Sequence, residues 1–115
     1  MEHIVTEESQ RYARLKWIVE SNARGQANKD SKEFPQERLQ ESVDPYTYEE
    51  AHGVLRAWAQ GPKKWLVFAG ASQLDIETVS PYEMNELIEH WIEFYLDLVF
   101  TQLRERYERE SNATA

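Results

Sequence analysis

Residues 80–110 read SPYEMNELIEHWIEFYLDLVFTQLRERYERE, and this stretch decides the fold. Ser80 is placed to cap a helix, and Pro81 fits the first helical position, where a missing N–H costs nothing. Glu83 completes a capping box with Ser80. The helical pattern then continues to about Glu110, roughly 45 Å at 1.5 Å per residue. Acidic residues gather toward its start, and Arg104, Arg106 and Arg109 lie toward its end, which suits the helix dipole.

The surface of this helix is unusual. Met84, Leu87, Ile88, Trp91, Phe94, Tyr95 and Leu98 cover one broad face. Ile92, Leu96, Val99, Phe100, Leu103 and Tyr107 extend that face well around the cylinder. An ordinary amphipathic helix needs an apolar stripe of about 100°, and here the middle third is apolar over about twice that. Leaving the second set in water would expose a patch large enough to drive association. The expectation is a homodimer that packs Leu96, Phe100, Leu103 and Tyr107 across a two-fold axis, with Trp17 as a further contact. The alternative is a monomer in which the linker and first helix wrap the long one.

Outward from this element the chain predicts a mainly α fold in the order α-α-β-β-α. Thr6 is a candidate N-cap for a helix ending near Arg24, with Gly25 as terminator. Val5, Tyr12, Leu15, Ile18 and Val19 share its apolar side, while Trp17 points nearly the opposite way. Residues 22–43 are polar and read as a surface linker, with one helical turn after Pro35 and with Phe34-Pro35 pinning it to the body. Thr47 and Glu50 form a second capping box, followed by Ala51, Val54, Leu55 and Trp58 at helical spacing up to Gly61-Pro62. Gly53 on the polar side of that helix leaves room for close approach by another backbone.

The period then changes. Lys64 to Ala69 is a short apolar run, and Leu74 to Val79 alternates, so a β-hairpin around Gly70–Gln73 is expected. A strand followed by a short helix is the competing assignment. Two shorter helices and this hairpin would then pack on the long C-terminal helix. The whole forms one domain over residues 1–115, with residues 111–115 as a disordered tail.

Composition narrows the function classes. The chain of 115 residues has a net charge of −8 and no cysteine, which removes disulfides, thiolate metal sites and a Cys nucleophile together. Met1 to Val5 lacks the basic and apolar regions of a signal peptide, so a cytoplasmic location is expected. No apolar run is long enough to span a membrane. From Asp75 to Asp97 there are seven acidic residues and no Lys or Arg, a surface that repels phosphate backbones and complements a basic protein.

Candidate chemistry is thin. Glu49 to His52 holds the Glu-x-x-His step of carboxylate-bridged di-iron bundles, but the long helix offers Glu86 and His90 at the wrong spacing for a second copy. Glu86, Glu89, Glu93 and Asp97 form an acidic ladder whose Glu86-x-x-Glu89 pair suits Mg²⁺. A matching Glu-x-x-Asp on a second helix is missing, as is a basic cluster to hold a triphosphate. No phosphate loop or nucleophile turn occurs. The reading is a non-enzymatic, dimeric interaction or regulatory protein without a cofactor, metal or catalytic set. Its alternatives are an inhibitor, immunity protein or nucleic-acid mimic that neutralises a basic partner, and a small Mg²⁺-dependent nucleotide hydrolase using the ladder. A site for a small apolar ligand among Trp58, Trp65 and Trp91 is a third possibility, weaker than core packing.

Overall fold

A computed structural model describes residues 7–42, 45–60 and 67–113. They form helices α1 (Glu7–Glu33), α2 (Leu39–Ser42, entered through a 3₁₀ turn at Gln36–Arg38), α3 (Pro45–Gln60), α4 (Gln73–Glu77) and α5 (Pro81–Ala113). The described residues are almost entirely helical and contain no strand. None of these helices is long and apolar enough to cross a membrane.

The spine is α5, 33 residues long. Its start follows the capping box: Ser80 Oγ accepts from Glu83 N–H at 3.1 Å, and Glu83 Oε1 accepts from Ser80 N–H at 3.3 Å. The helix continues through Ser111 and Asn112, so these residues are not the disordered tail expected; residues 114 and 115 lie outside the described ones.

Helix α1 lies along one side of α5. The contacts Tyr12–Glu86, Glu20–His90 and Ser31–Gln102 advance together along both helices, so the two run parallel. Leu15, Val19, Ala23, Ala27 and Ser31 are buried at every fourth position, a ladder that narrows to small side chains as α1 proceeds. That narrowing explains why the helix does not stop at Arg24. Ala23, Ala27 and Ser31 carry little hydropathy, yet they let the last three turns pack closely on α5. Gly25 is exposed within the helix, not a terminator.

The true end comes at Phe34-Pro35, where the residue before proline is driven out of helical geometry. Arg106 Nη1 donates to the carbonyls of Ser31 at 3.0 Å and Phe34 at 2.9 Å, satisfying groups that a helix end leaves open. Residues 22–33 are thus helix rather than linker. After the turn, Leu39 is buried and Phe34 half-buried against the core, which matches the pinning role expected of Phe34-Pro35.

Helix α3 covers a second side of α5. It runs antiparallel, because Tyr48 meets Asp97 and Phe100 while His52 meets Glu89. The helix begins at Pro45, ahead of the expected cap: Thr47 lies inside it and its hydroxyl donates to the carbonyl of Glu41 at 3.0 Å. The Trp58 side chain, and Gly61-Pro62 as the stop signal, lie outside the described residues.

The expected hairpin is absent. Of its first strand, residues 64–66 lie outside the described ones, while Val67 and Phe68 are buried in a turn. Ala71 N–H donates to Phe68 C=O at 3.0 Å, and Gly70 takes φ +94°, a conformation that L side chains rarely adopt. Asn22 Nδ2 lies 3.0 Å from the carbonyls of both Val67 and Ala69, so α1 supplies the partner that a β ladder would have provided. The second strand is helix α4. Ser72 Oγ accepts from Asp75 N–H at 3.1 Å, and Leu74 to Val79 alternates over too few residues to distinguish the two periods.

Asp75 ties α4 to α1. Arg14 Nη2 and Nε lie 2.9 and 3.4 Å from its two carboxylate oxygens, and Arg11 Nε lies at 3.9 Å. The Arg14 hydrogen bonds hold the Asp75 carboxyl below the usual carboxylate range, against the opposing effect of desolvation. Its folded pKa is therefore lower than the unfolded value of about 3.9. Ionised Asp75 contributes stability that is fully present above that unfolded value and is lost as pH falls through the folded one. Asp75→Asn should lower the urea midpoint at pH 7, and the gap to wild type should close toward pH 2.

Two glycines give a second test. A Cβ added at Gly25 or Gly53 meets nothing within 4 Å, so the close backbone approach considered for Gly53 is not present. Gly25→Ala and Gly53→Ala should each raise stability by about 0.5–1 kcal/mol, measured by urea unfolding, since helix propensity is the main term left.

Candidate functional site

The wide apolar circumference of α5 is accounted for by cover from two sides of the same chain. Leu96 is 1% exposed and Leu103 3% exposed, both in the core with Leu87, Ile88, Trp91, Ile92 and Val99. Phe100 is half-buried with its ring 5.3 Å from that of Tyr48, and Tyr107 packs partly buried against the same core. The expected two-fold interface through Leu96 and Leu103 therefore loses its basis. Helix α1 is longer than the sequence reading allowed, and α2 adds Leu39, so the chain has enough surface to cover the second apolar set. Trp17 stands apart from these four residues at 69% exposed, on the outer face of α1.

The acidic strip of α5 lies mostly at the surface, with Glu86, Glu93 and Asp97 exposed. Tyr82, Glu86, Glu89, Glu93 and Asp97 recur at intervals of three and four residues, one line along the helix. Glu86 and Glu93 are exposed, Glu89 is half-buried, and Tyr82 is 72% exposed. A cavity of about 560 Å³ opens over this line, lined among others by Tyr12, Lys16, Tyr82, Glu86, Glu89 and Glu93. Tyr12 donates to Glu86 Oε2 at 3.4 Å. Burial first and the Glu86 carboxylate second raise the Tyr12 pKa; the hydrogen bond to Glu86 is the main cause for Tyr82. Both phenols stay neutral donors in the lining of the cavity.

Asp97 and Glu89 have different neighbours on α3. Asp97 Oδ1 accepts from the Tyr48 hydroxyl at 2.9 Å, and burial together with that bond pushes the Tyr48 pKa up to about 12. Glu89 Oε2 lies 3.8 Å from His52 Nε2. His90, one residue along from Glu89, instead pairs with Glu20 of α1 at 2.7 Å. Glu86, Glu89 and Asp97 of the ladder are thus met from α1 or α3. His52, seen in the sequence only as the end of a Glu-x-x-His step, meets the ladder at Glu89; only the register of α3 on α5 brings it there.

The opposite side of α5 carries a groove between α1 and α3. Trp91 and Tyr95 stack in it with centroids 5.1 Å apart, and Tyr95 donates to Asp30 Oδ2 across to α1. Burial first and the Asp30 bond second drive the Tyr95 pKa well above the usual phenol range. Toward the end of α1 the groove becomes apolar, a space of about 330 Å³ lined by Phe34, Ala51, Val54, Leu55, Val99 and Phe100 among others. Of the three tryptophans weighed as an apolar ligand site, Trp91 is buried core, while Trp65 and the Trp58 side chain lie outside the described residues.

No protein family, curated protein or solved structure matches this chain.

Proposed function

We propose that this protein is a non-catalytic interaction domain, acting in the cytoplasm, that takes a basic segment of a partner protein along the acidic strip of α5. The observation that carries the reading is the alignment of Tyr82, Glu86, Glu89 and Glu93 along one cavity, with Tyr12 of α1 also in its lining. A guanidinium entering this cavity meets carboxylates that accept its N–H groups and phenol rings that favour a cation over their faces. Glu86, Glu89 and Glu93 outnumber Lys16 in the lining, and His90 there is paired with Glu20, so the local field favours cations and disfavours phosphate backbones. The absence of cysteine across the chain is in keeping with a reducing compartment.

The test is titration of the full chain with an arginine-rich peptide and an acidic peptide of equal length. Binding of the basic peptide alone is expected, weakening by about tenfold or more between 0.05 and 0.5 M salt as the charges are screened. The double variant Tyr82→Ala, Glu86→Gln should weaken it by about tenfold or more while leaving the circular dichroism unchanged. Equal affinity in wild type and double variant would sink the assignment of the surface.

A further inference from the structure

Where α3 crosses the acidic strip, three side chains with metal-ligand chemistry converge. His52 from α3, and Glu89 and Glu93 one helical turn apart on α5, each bring a ligand atom to within 4.8 Å of the others. His52 Nε2 and Glu89 Oε2 are 3.8 Å apart, with side chains 22% and 30% exposed, so this corner of the site is partly withdrawn from water. The arrangement is held by the turn of α3 beside it. Tyr48, four residues before His52, hydrogen-bonds Asp97 at 2.9 Å and packs its ring on Phe100, which fixes the register of the two helices.

We infer that His52, Glu89 and Glu93 form a binding site for one divalent transition-metal ion, Zn²⁺ or a neighbour of it. Bonds of about 2.0–2.2 Å to imidazole nitrogen and carboxylate oxygen place ligand atoms roughly 3–3.6 Å apart around such an ion. His52 Nε2 and Glu89 Oε2 already stand at 3.8 Å, and the whole set lies within 4.8 Å, so the ligand atoms are gathered close to that spacing. An imidazole among the ligands selects against Mg²⁺ and Ca²⁺, which take all-oxygen shells. Three protein ligands leave the remaining coordination positions to water or to a partner's side chain. The ion also clamps α3 to α5, since the ligands come from both helices. The site shares Glu89 and Glu93 with the cavity over Tyr82 and Glu86, whereas His52 does not line that cavity and belongs to the metal site alone.

The experiment is calorimetric titration of the chelator-treated full chain with Zn²⁺, paired with the visible spectrum of the Co²⁺ form. One ion per chain is expected, with a raised thermal midpoint in excess Zn²⁺ and no response to Mg²⁺. His52→Ala should abolish binding, and Glu89→Gln should weaken it by about tenfold or more, each without loss of helical content. His90→Gln, which removes the other described histidine and lies on α5, should leave both signals intact. Absence of Zn²⁺ heat and of Co²⁺ absorption in the wild type would overturn the site. So would undiminished binding by His52→Ala, which would put the ion elsewhere. Arginine-peptide binding retained by His52→Ala would separate the fate of this proposal from that of the partner surface.

Discussion

Leu103→Glu is expected to unfold the chain rather than to separate two subunits. Leu103 is 3% exposed among Leu96, Val99 and Leu39 in the core. A carboxylate there would lose its hydration, and the substitution would also remove apolar packing from the core. The expected loss is above about 4 kcal/mol, a large share of the 5–15 kcal/mol by which a domain of this size is normally stable. Circular dichroism should show lost helicity at 25 °C. Trp17→Ala is the matched control: its side chain is mostly in water, so a change within about 0.5 kcal/mol is expected. A folded Leu103→Glu chain of unchanged stability would mean that this side chain is not covered as described.

Arg106→Met is the second large effect, and it acts on the far end of α1. One guanidinium nitrogen closes the carbonyls of Ser31 and Phe34, and Arg106 Nε lies 3.6 Å from Glu110 Oε1. Methionine keeps much of the apolar stem but none of the donors, so the cost is mainly that of two partly buried carbonyls losing a charged partner. We expect about 2–3 kcal/mol in urea unfolding. The damage should be local in its first stage. Amide exchange should accelerate over residues 28–34 before the rest of the chain responds, because helix ends without caps fray.

These two residues also show where sequence reading succeeds and where it stops. The start of α5 was legible because its signal is local: Ser80, Pro81 and Glu83 satisfy backbone groups within one turn. The length of α1 was not, because Ala23, Ala27 and Ser31 carry no strong apolar signal. Their value is their small size against α5, which only tertiary packing reveals. Underestimating α1 then made α5 look too apolar for one chain, and the two-fold interface through Leu96 and Leu103 followed from that error. Helix α4 did leave a local trace, Ser72 three residues before Asp75, but the alternation around Ile76 obscured it. The acidic strip was legible as a ladder on one helix. Its meeting with His52 was not, since that depends on Tyr48 setting the register of α3.

The claim on which the rest stands is that α1, α2 and α3 of the same chain cover α5. Thermal unfolding across protein concentrations from about 1 to 300 µM tests it most directly, since only folding coupled to association makes the midpoint depend on concentration. A midpoint that stays constant over that range is the expected result. A midpoint that climbs steadily with concentration would show that part of the cover on α5 comes from another molecule, and would contradict the fold's account of its own core.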